Sequence, residues 1–371
     1  MNKKQNKKNI IIITAGGTGG HLFTAQAVAE KLQVESYRVH LICDKRALRY
    51  FDYTFNSIPK TVIHSLNIKK SLISKITDIS ILLINFIKVT SKFLFKRPQA
   101  VIAFGSHPTI PTCLYAMLFH IPLILHEQNT VLGRVNSIFL PFAKKLFLGF
   151  PITKKINYKH INKVFITGLP IRKKIVEYNK RTHKGKSKIL RILVVGGSQG
   201  AKSLSNIFAK TIYRLDPISQ NRISITQQVR NEDAYYIKSI YSRTFCKYDT
   251  KPFFHNIEVL YPIHDLVITR SGSCSVIESL LFKKATIFVP LYESADNHQF
   301  INALYISKHS HVLLREEKLF SIKWLLSHIK LFLYSKEKID DIEHSYNEKL
   351  VKFYNNSTNI FYNHLQDLIN N

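Results

Sequence analysis

The sequence predicts an α/β chain built on two parallel sheets, and three observations predict it. A short apolar strand pattern twice runs into a glycine-rich loop and then a helical stretch. The first copy is Ile10–Ala15 into Gly16-Gly17-Thr18-Gly19-Gly20-His21; the second is Ile192–Val195 into Gly196-Gly197-Ser198-Gln199-Gly200-Ala201. Each copy is followed by further short apolar runs with helical patterns between them, as parallel strands with crossover helices require. The 371 residues, 45% hydrophobic and 21% charged, suffice for two full-size cores. Two such junctions, far apart in the chain, imply two Rossmann-like halves facing each other across a cleft.

The elements follow in order. After the Ile10 strand comes an amphipathic stretch from Thr24 to Leu32, then a strand from Arg38 to Cys43 ending at Asp44. Val101–Phe104 and Pro122–His126 read as strands because they are short, apolar and bounded by Pro or Gly. Thr167-Gly168-Leu169-Pro170 reads as a hinge. A second series starts at Lys188, with strands at Ile192–Val195, Ile223–Thr226, Leu266–Thr269 and Ala285–Val289. From Ser357 onward, Phe361, Leu365, Leu368 and Ile369 share one helical face. The domains expected are residues 1–167 and 168–350, with a C-terminal helix in 351–371 packing back on the first.

A formal charge of +30 and a pI near 9.9 allow two readings. One is attraction to an anionic membrane or polyanion; the other is a compositional bias that spreads charge everywhere. Nucleic acid is not expected, since no zinc spacing, RNP-like aromatic motif or basic-region heptad is present. Cys43, Cys113, Cys246 and Cys274 form no C-x-x-C pair, which fits a reducing compartment and argues against a zinc site. The basic N-terminus before the Ile run mimics a signal peptide, but the apolar run is short and enters the glycine loop, so a buried first strand is the reading. No stretch approaches the roughly 18 apolar residues of a membrane span.

The segment Ile68–Arg97 stands apart. It mixes Ile79, Leu82, Leu83, Phe86, Phe93 and Phe95 with Lys69, Lys70, Lys88, Lys92, Lys96 and Arg97, interrupted by one acid, Asp78. An apolar stripe ringed by lysines can lie in a bilayer interface. The alternative is an ordinary packing helix with a solvated basic face.

Each glycine loop offers bare N–H groups at a helix N-terminus, where the macrodipole favours phosphate. His21 follows the first loop and reads as a general base or as a capping, phosphate-binding histidine. His126-Glu127-Gln128-Asn129 follows a strand, where the carboxyl end of a sheet faces the crevice. A third junction, Thr269-Arg270-Ser271-Gly272-Ser273-Cys274-Ser275, opens a helix bearing Glu278. That carboxylate can hydrogen-bond both hydroxyls of a ribose, or merely compensate the helix dipole. The run from Pro290 to Gln299 carries amides suited to sugar hydroxyls. The first loop is not G-x-G-x-x-G, because Leu22 occupies the third glycine position, and neither loop contains G-K-[ST].

Taken together, Gly16–His21, His126–Asn129, Gly168–Arg172, Gly196–Ala201, Arg270–Glu278 and Asp296–Ala303 make the sequence resemble the MurG family of peptidoglycan glycosyltransferases. The family's Gly-Gly-Tyr segment reads here Gly105-Ser106-His107. The resemblance implies the two-domain GT-B architecture. It also implies inverting transfer of N-acetylglucosamine from UDP-N-acetylglucosamine to the 4-hydroxyl of the muramoyl sugar of undecaprenyl-diphospho-N-acetylmuramoyl-pentapeptide (lipid I), giving lipid II. Carried over by position, Glu278 takes the ribose and Phe254 offers backbone contacts to uracil. Ser198, Ser273, Cys274, Ser275 and Arg172 lie near the diphosphate. Asn129, Gln299, Thr18, Gly19 and Gly20 approach the donor sugar, and His21 and Glu127 are the catalytic candidates. No cofactor and no metal are expected, since no Asp-x-Asp motif is present. The partners implied are the two substrates, an anionic membrane surface, and cell-wall synthesis or division proteins. The location implied is peripheral, on the cytoplasmic face of a bacterial inner membrane. A sugar-nucleotide epimerase of similar architecture would share the donor site but need no membrane patch.

Overall fold

The computed structural model describes residues 10–51, 57–65, 72–180, 188–197 and 200–369. The chain divides into two α/β units. The first runs to Lys173 and regains the chain from Asn356 onward; the second is Lys174–Asn355.

In the first unit, β1 (Ile10–Thr14), β2 (Arg38–Asp44), β3 (Lys60–Ile63), β4 (Ala100–Ala103), β5 (Leu123–Glu127), β6 (Lys145–Leu148) and β7 (Val164–Ile166) form one sheet in the order β3-β2-β1-β4-β5-β6-β7. Every pairing is parallel. Ile11, Ile12 and Ile13 are completely buried, which is why the run does not alternate: a central parallel strand is covered on both faces. The strand order reverses between β1 and β4. At that switch point the loops Ala15–Thr18 and Phe104–His107 leave the sheet side by side, because Thr14 registers with Ala103.

Three segments cover this sheet in ways that matter for function. Helix Gly19–Val34 starts five residues before the amphipathic pattern, since Gly19 and Gly20 are poor helix formers and disguise its first turn. The terminal helix Ser357–Ile369 buries Phe361 and Leu365 of its predicted face. Phe361 stacks on Phe104 at 6.5 Å and meets Phe147 edge-on at 4.8 Å. Gln99 Nε2 donates to the Ile369 carbonyl (3.0 Å) and Lys145 Nζ to that of His364 (3.2 Å), so the end of the chain is part of the first unit.

Helix Leu72–Phe93 is held on its inner side by Val89, Phe93 and a polar pin. The buried Asn85 carboxamide donates to the His64 carbonyl (2.9 Å) and accepts from the His64 N–H (3.0 Å). Its outer face leaves Ile79, Leu83, Ile84 and Ile87 exposed, continued past its end by Leu94 and Phe95. Phe95 is 93% exposed, far outside ordinary packing for so large an apolar ring. Among the described residues no helix is long and apolar enough to cross a membrane.

The second unit repeats the winding. Strands β8 (Leu190–Val195), β9 (Ile223–Gln228), β10 (Lys247–Lys251), β11 (Leu266–Thr269), β12 (Ala285–Phe288) and β13 (Leu313–Leu314) lie in the order β10-β9-β8-β11-β12-β13, again all parallel. Its switch point lies between β8 and β11. The predicted fold class, α/β with two Rossmann-like parallel sheets, is what the chain adopts. The sequence did not reveal β3, β6, β7, β10 and β13. The edge strand β10 reads Lys-Tyr-Asp-Thr-Lys, the charged composition that keeps an exposed edge from pairing with another chain.

Candidate functional site

At the first switch point the two loops touch. A Cβ at Gly16 would lie 2.6 Å from Pro108 Cγ, and one at Gly17, whose φ is +84°, would lie 2.8 Å from Ser106 Oγ. Only glycine fits there. Gly105 has φ +77° and Ser106 follows with φ 70°, ψ 157°. That second conformation is essentially a glycine region, so the serine standing where the family resembled carries glycine is strained.

Thr18 is the N-cap of helix Gly19–Val34, in extended backbone conformation. Its hydroxyl does not cap the backbone; it pairs at 2.8 Å with Nδ1 of His21, three residues on. The helix N-terminus therefore receives no hydrogen bond from its cap side chain, and Gly19 and Gly20 are its first two residues. Cationic groups surround the same end of the sheet. Burial, with the charges of Arg46 and Arg134, pushes the His107 pKa down. Arg172 lies over the ring of Phe23 at 4.5 Å, which places it beside the same helix.

The His126–Asn129 run ends β5. His126 is fully buried against Phe104 and Phe361, and burial drives its pKa to about 3. The Glu127 carboxylate is 2% exposed and accepts four hydrogen bonds: Asn129 N–H (3.0 Å) and Nδ2 (3.3 Å) on Oε1, Gly133 N–H (2.8 Å) and Asn136 Nδ2 (3.0 Å) on Oε2. Burial raises its pKa, and these bonds offset the rise only in part. Its geometry is that of a clamp that shapes the loop and presents Asn129. Asn136, which the sequence did not single out, also donates to the His126 carbonyl (3.0 Å) and packs beside Gly105.

In the second unit, Gly196, Gly197 (φ +78°) and Gly200 (φ +73°) lead into helix Lys202–Tyr213. Ser198 lies outside the described residues, as do Ile68, Lys69 and Lys70 of the basic segment. Across the switch point, Gly272 caps helix Ser273–Leu281; a Cβ on Gly272 would meet nothing within 4 Å, so the N-terminus borders open space. Ser273 is buried there, while Cys274 and Ser275 are half-buried. Glu278 is 8% exposed on the same helix. Phe254 follows β10 and precedes helix Ile257–Ile263.

The Pro290–Gln299 segment contains two successive residues, Asp296 (φ 53°) and Asn297 (φ 54°), in the left-handed region. They turn the chain into helix His298–Ser307, and Gln299 Oε1 accepts from the Leu291 N–H at 3.0 Å. An ion pair between the buried Arg270 and the half-buried Glu317 braces this loop. Arg270 donates to the carbonyls of Val289 (3.0 Å) and Pro290 (3.3 Å), to Ser203 Oγ (3.0 Å), and to Glu317. Glu317 also takes the Tyr292 N–H at 3.1 Å. Burial pushes the Glu317 carboxyl up, but the hydrogen bonds from Arg270, Ser203 and Tyr292 together with the Arg270 charge hold it below its ordinary value. Glu317 was invisible to motif reading because its partners are distant in sequence. Among the described residues no group of three or more His, Cys, Asp or Glu could hold a metal ion.

The glycosyltransferase family 28 N-terminal domain matches residues 11–148, and the family 28 C-terminal domain matches residues 191–358. The chain is 34% identical over 299 residues to the UDP-N-acetylglucosamine–N-acetylmuramyl-(pentapeptide) pyrophosphoryl-undecaprenol N-acetylglucosamine transferase of Rickettsia canadensis (strain McKiel), covering 80% of this chain and 82% of that one. It is 32% identical over 335 residues to the protein of the same name from a Wolbachia of Drosophila simulans (strain wRi), covering 90% and 93%. The crystal structure of MurG from Acinetobacter baumannii superposes over 98% of this chain and 99% of that one, with a TM-score of 0.68 at 23% identity, which shows a shared fold. Fold and domain matches together define a glycosyltransferase. The chain belongs to the MurG family of N-acetylglucosamine transferases.

Proposed function

We propose that the chain transfers N-acetylglucosamine from UDP-N-acetylglucosamine to the 4-hydroxyl of the muramoyl sugar of lipid I, forming lipid II, while docked on an anionic membrane surface. The observation that carries the donor half is the second switch point, where a glycine loop leaves β8 and the N-terminus of helix Ser273–Leu281, which bears the buried Glu278, follows the neighbouring β11. Glu278 holds the ribose hydroxyls, the backbone at Phe254 receives uracil, and Ser198, Ser273, Cys274 and Ser275 surround the diphosphate. Gln299 keeps its Oε1 on the Leu291 N–H and offers its Nε2 to a sugar hydroxyl. In the first unit, Asn129, Thr18, Gly19 and Gly20 are the sugar-binding residues.

The acceptor half uses the first unit. The N-terminus of helix Gly19–Val34, the positive end of its dipole, with the Arg46 and Arg134 charges nearby, suits the acceptor diphosphate. His21 acts as general base on the attacking hydroxyl through Nε2. That role requires the tautomer whose Nδ1–H donates to Thr18 Oγ1. Glu127 is the positioning carboxylate of the Asn129 loop. Inversion at the anomeric carbon needs in-line attack and stabilisation of the departing diphosphate, which helix N-termini supply.

The membrane contact is the exposed apolar face of helix Leu72–Phe93 with Leu94 and Phe95, flanked by Lys92, Lys96 and Arg97. No part of this face reaches across a bilayer; it lies on the surface. The direct test uses radiolabelled UDP-N-acetylglucosamine with a lipid I analogue. A β-linked disaccharide product supports the proposal, whereas release of free N-acetylmannosamine or no product at all refutes it.

A further inference from the structure

β9 and β11 flank β8 on opposite sides, so the second glycine loop has a neighbour that the motifs do not mention: the segment leaving β9. Gln228, the last residue of β9, grips the loop. Its Oε1 accepts from the Gly196 N–H (3.1 Å), and its Nε2 donates to the carbonyls of Gly197 (3.0 Å) and Pro252 (3.1 Å). One carboxamide thus ties the glycine loop to the segment that leads into Phe254.

Two residues on, Arg230 lies directly on Gly200. A Cβ at that glycine would sit 2.5 Å from Arg230 Cγ, so the arginine stem occupies the space a side chain would need. Arg230 Nε donates to Asp233 Oδ2 at 2.6 Å, on the short turn Asn231–Asp233. The arginine side chain is 36% exposed and the aspartate 9%. Among the described residues, Nη1 and Nη2 of Arg230 make no hydrogen bond. Helix Lys202–Tyr213, which the loop opens, carries no acid in its first turn. The surroundings of Gly200 therefore combine the positive end of a helix dipole that has no side-chain cap with a guanidinium whose orientation is fixed from its Nε side.

We propose that Arg230 is a donor-binding residue whose guanidinium contacts phosphate oxygens of the nucleoside diphosphate seated on the second glycine loop. This rests on reading the second unit as the donor unit. An exposed arginine paired with an aspartate three residues on adds little stability by itself. Holding Nε instead leaves the Nη edge free for a planar, charge-assisted contact with phosphate, which an ammonium group cannot reproduce. Arg230 also adds a cation on the β9 side of the loop, opposite the serines that follow β11.

The test compares competitive inhibition by uridine and by UDP in the full-length enzyme, for wild type, Arg230→Gln, Arg230→Lys and Glu278→Ala. Arg230→Gln is expected to weaken UDP roughly tenfold and leave uridine unchanged, with Arg230→Lys in between. Glu278→Ala is expected to weaken both ligands, since both carry the ribose. If Arg230→Gln inhibits like wild type with UDP while Glu278→Ala is weak, the Arg230 contact is wrong and the donor site stands. Equal loss of uridine and UDP in Arg230→Gln also overturns the contact, because the residue then acts only by shaping the loop. If Glu278→Ala leaves both ligands unchanged, the donor-site reading itself fails.

Discussion

Thr18 Oγ1 sits 2.8 Å from Nδ1 of His21, so the N-cap of the first glycine-loop helix is spent on a side chain instead of on the helix backbone. An N-cap hydroxyl that bonds a backbone N–H contributes typically about 1 kcal/mol, and that contribution is forgone here. What the arrangement provides is an oriented imidazole, with Nδ1 held by the Thr18 hydroxyl. His21→Ala should lower kcat by about 10²–10⁴-fold with donor binding near wild type, and should abolish the acidic limb of the pH–rate profile. Thr18→Val should lower kcat less, on the order of tenfold, and keep that limb. A normal kcat with a raised acceptor KM in His21→Ala would instead make His21 a diphosphate ligand.

Glu278 is buried on helix Ser273–Leu281. Its removal takes away charge-assisted hydrogen bonds to ribose hydroxyls. Glu278→Ala should therefore weaken UDP-N-acetylglucosamine binding by about 1.5–3 kcal/mol in calorimetry. Unchanged affinity would remove Glu278 from the donor site.

On the basic helix, Lys88 donates to the Val62 carbonyl at 2.8 Å and helps hold the helix in place. The charges to reverse are accordingly Lys92, Lys96 and Arg97. Changing all three to Glu should release the protein from vesicles rich in anionic lipid, since each basic group near such a surface contributes about 1 kcal/mol. Turnover of a short-chain, water-soluble acceptor should survive. Vesicle binding that persists undiminished would assign this face to ordinary solvated surface.

His126 predicts an acid response. Its folded pKa of about 3 lies below the free value of 6.5, because burial penalises the charged ring. The neutral ring's contribution to stability is complete above pH 6.5 and is lost as pH falls through about 3, because the unfolded chain takes up the proton first. His126→Phe keeps the contacts with Phe104 and Phe361 and removes the titration. Relative to its own stability at pH 7.5, the variant should retain on the order of 2 kcal/mol more than wild type at pH 4.5. Parallel stability–pH curves for the two proteins would contradict this.

Ser106 holds a backbone conformation that suits glycine, at φ 70° and ψ 157°. Ser106→Gly should raise stability by about 1 kcal/mol in chemical denaturation, by relieving that strain. A destabilised variant would mean that the serine's packing over Gly17 outweighs the backbone cost.

The periodicity of the chain determined the fold class by itself. Uninterrupted runs such as Ile10–Ile13 can only be central strands, and glycine junctions at Gly16 and Gly196 leave few alternatives to a nucleotide-type loop. The most local signals therefore survived into the structure with boundaries unchanged, as with Leu266–Thr269, or moved by one residue, as with Ala285–Phe288. Strands with polar or very short sequences, β10 and β13, were not legible, because their stability comes from backbone pairing with a neighbour. Only the tertiary structure decided what the polar residues near the loops do. Glu127 reads as a candidate catalytic base in sequence, and in the structure four hydrogen bonds from residues up to nine positions away occupy its carboxylate. Arg270 finds Glu317, and Gln228 finds Gly196 and Pro252, only after parallel crossovers bring strand ends together. The physical reason is range: hydrophobic period and glycine conformation act over a few residues of chain, whereas a buried polar group is defined by whichever distant partner satisfies it.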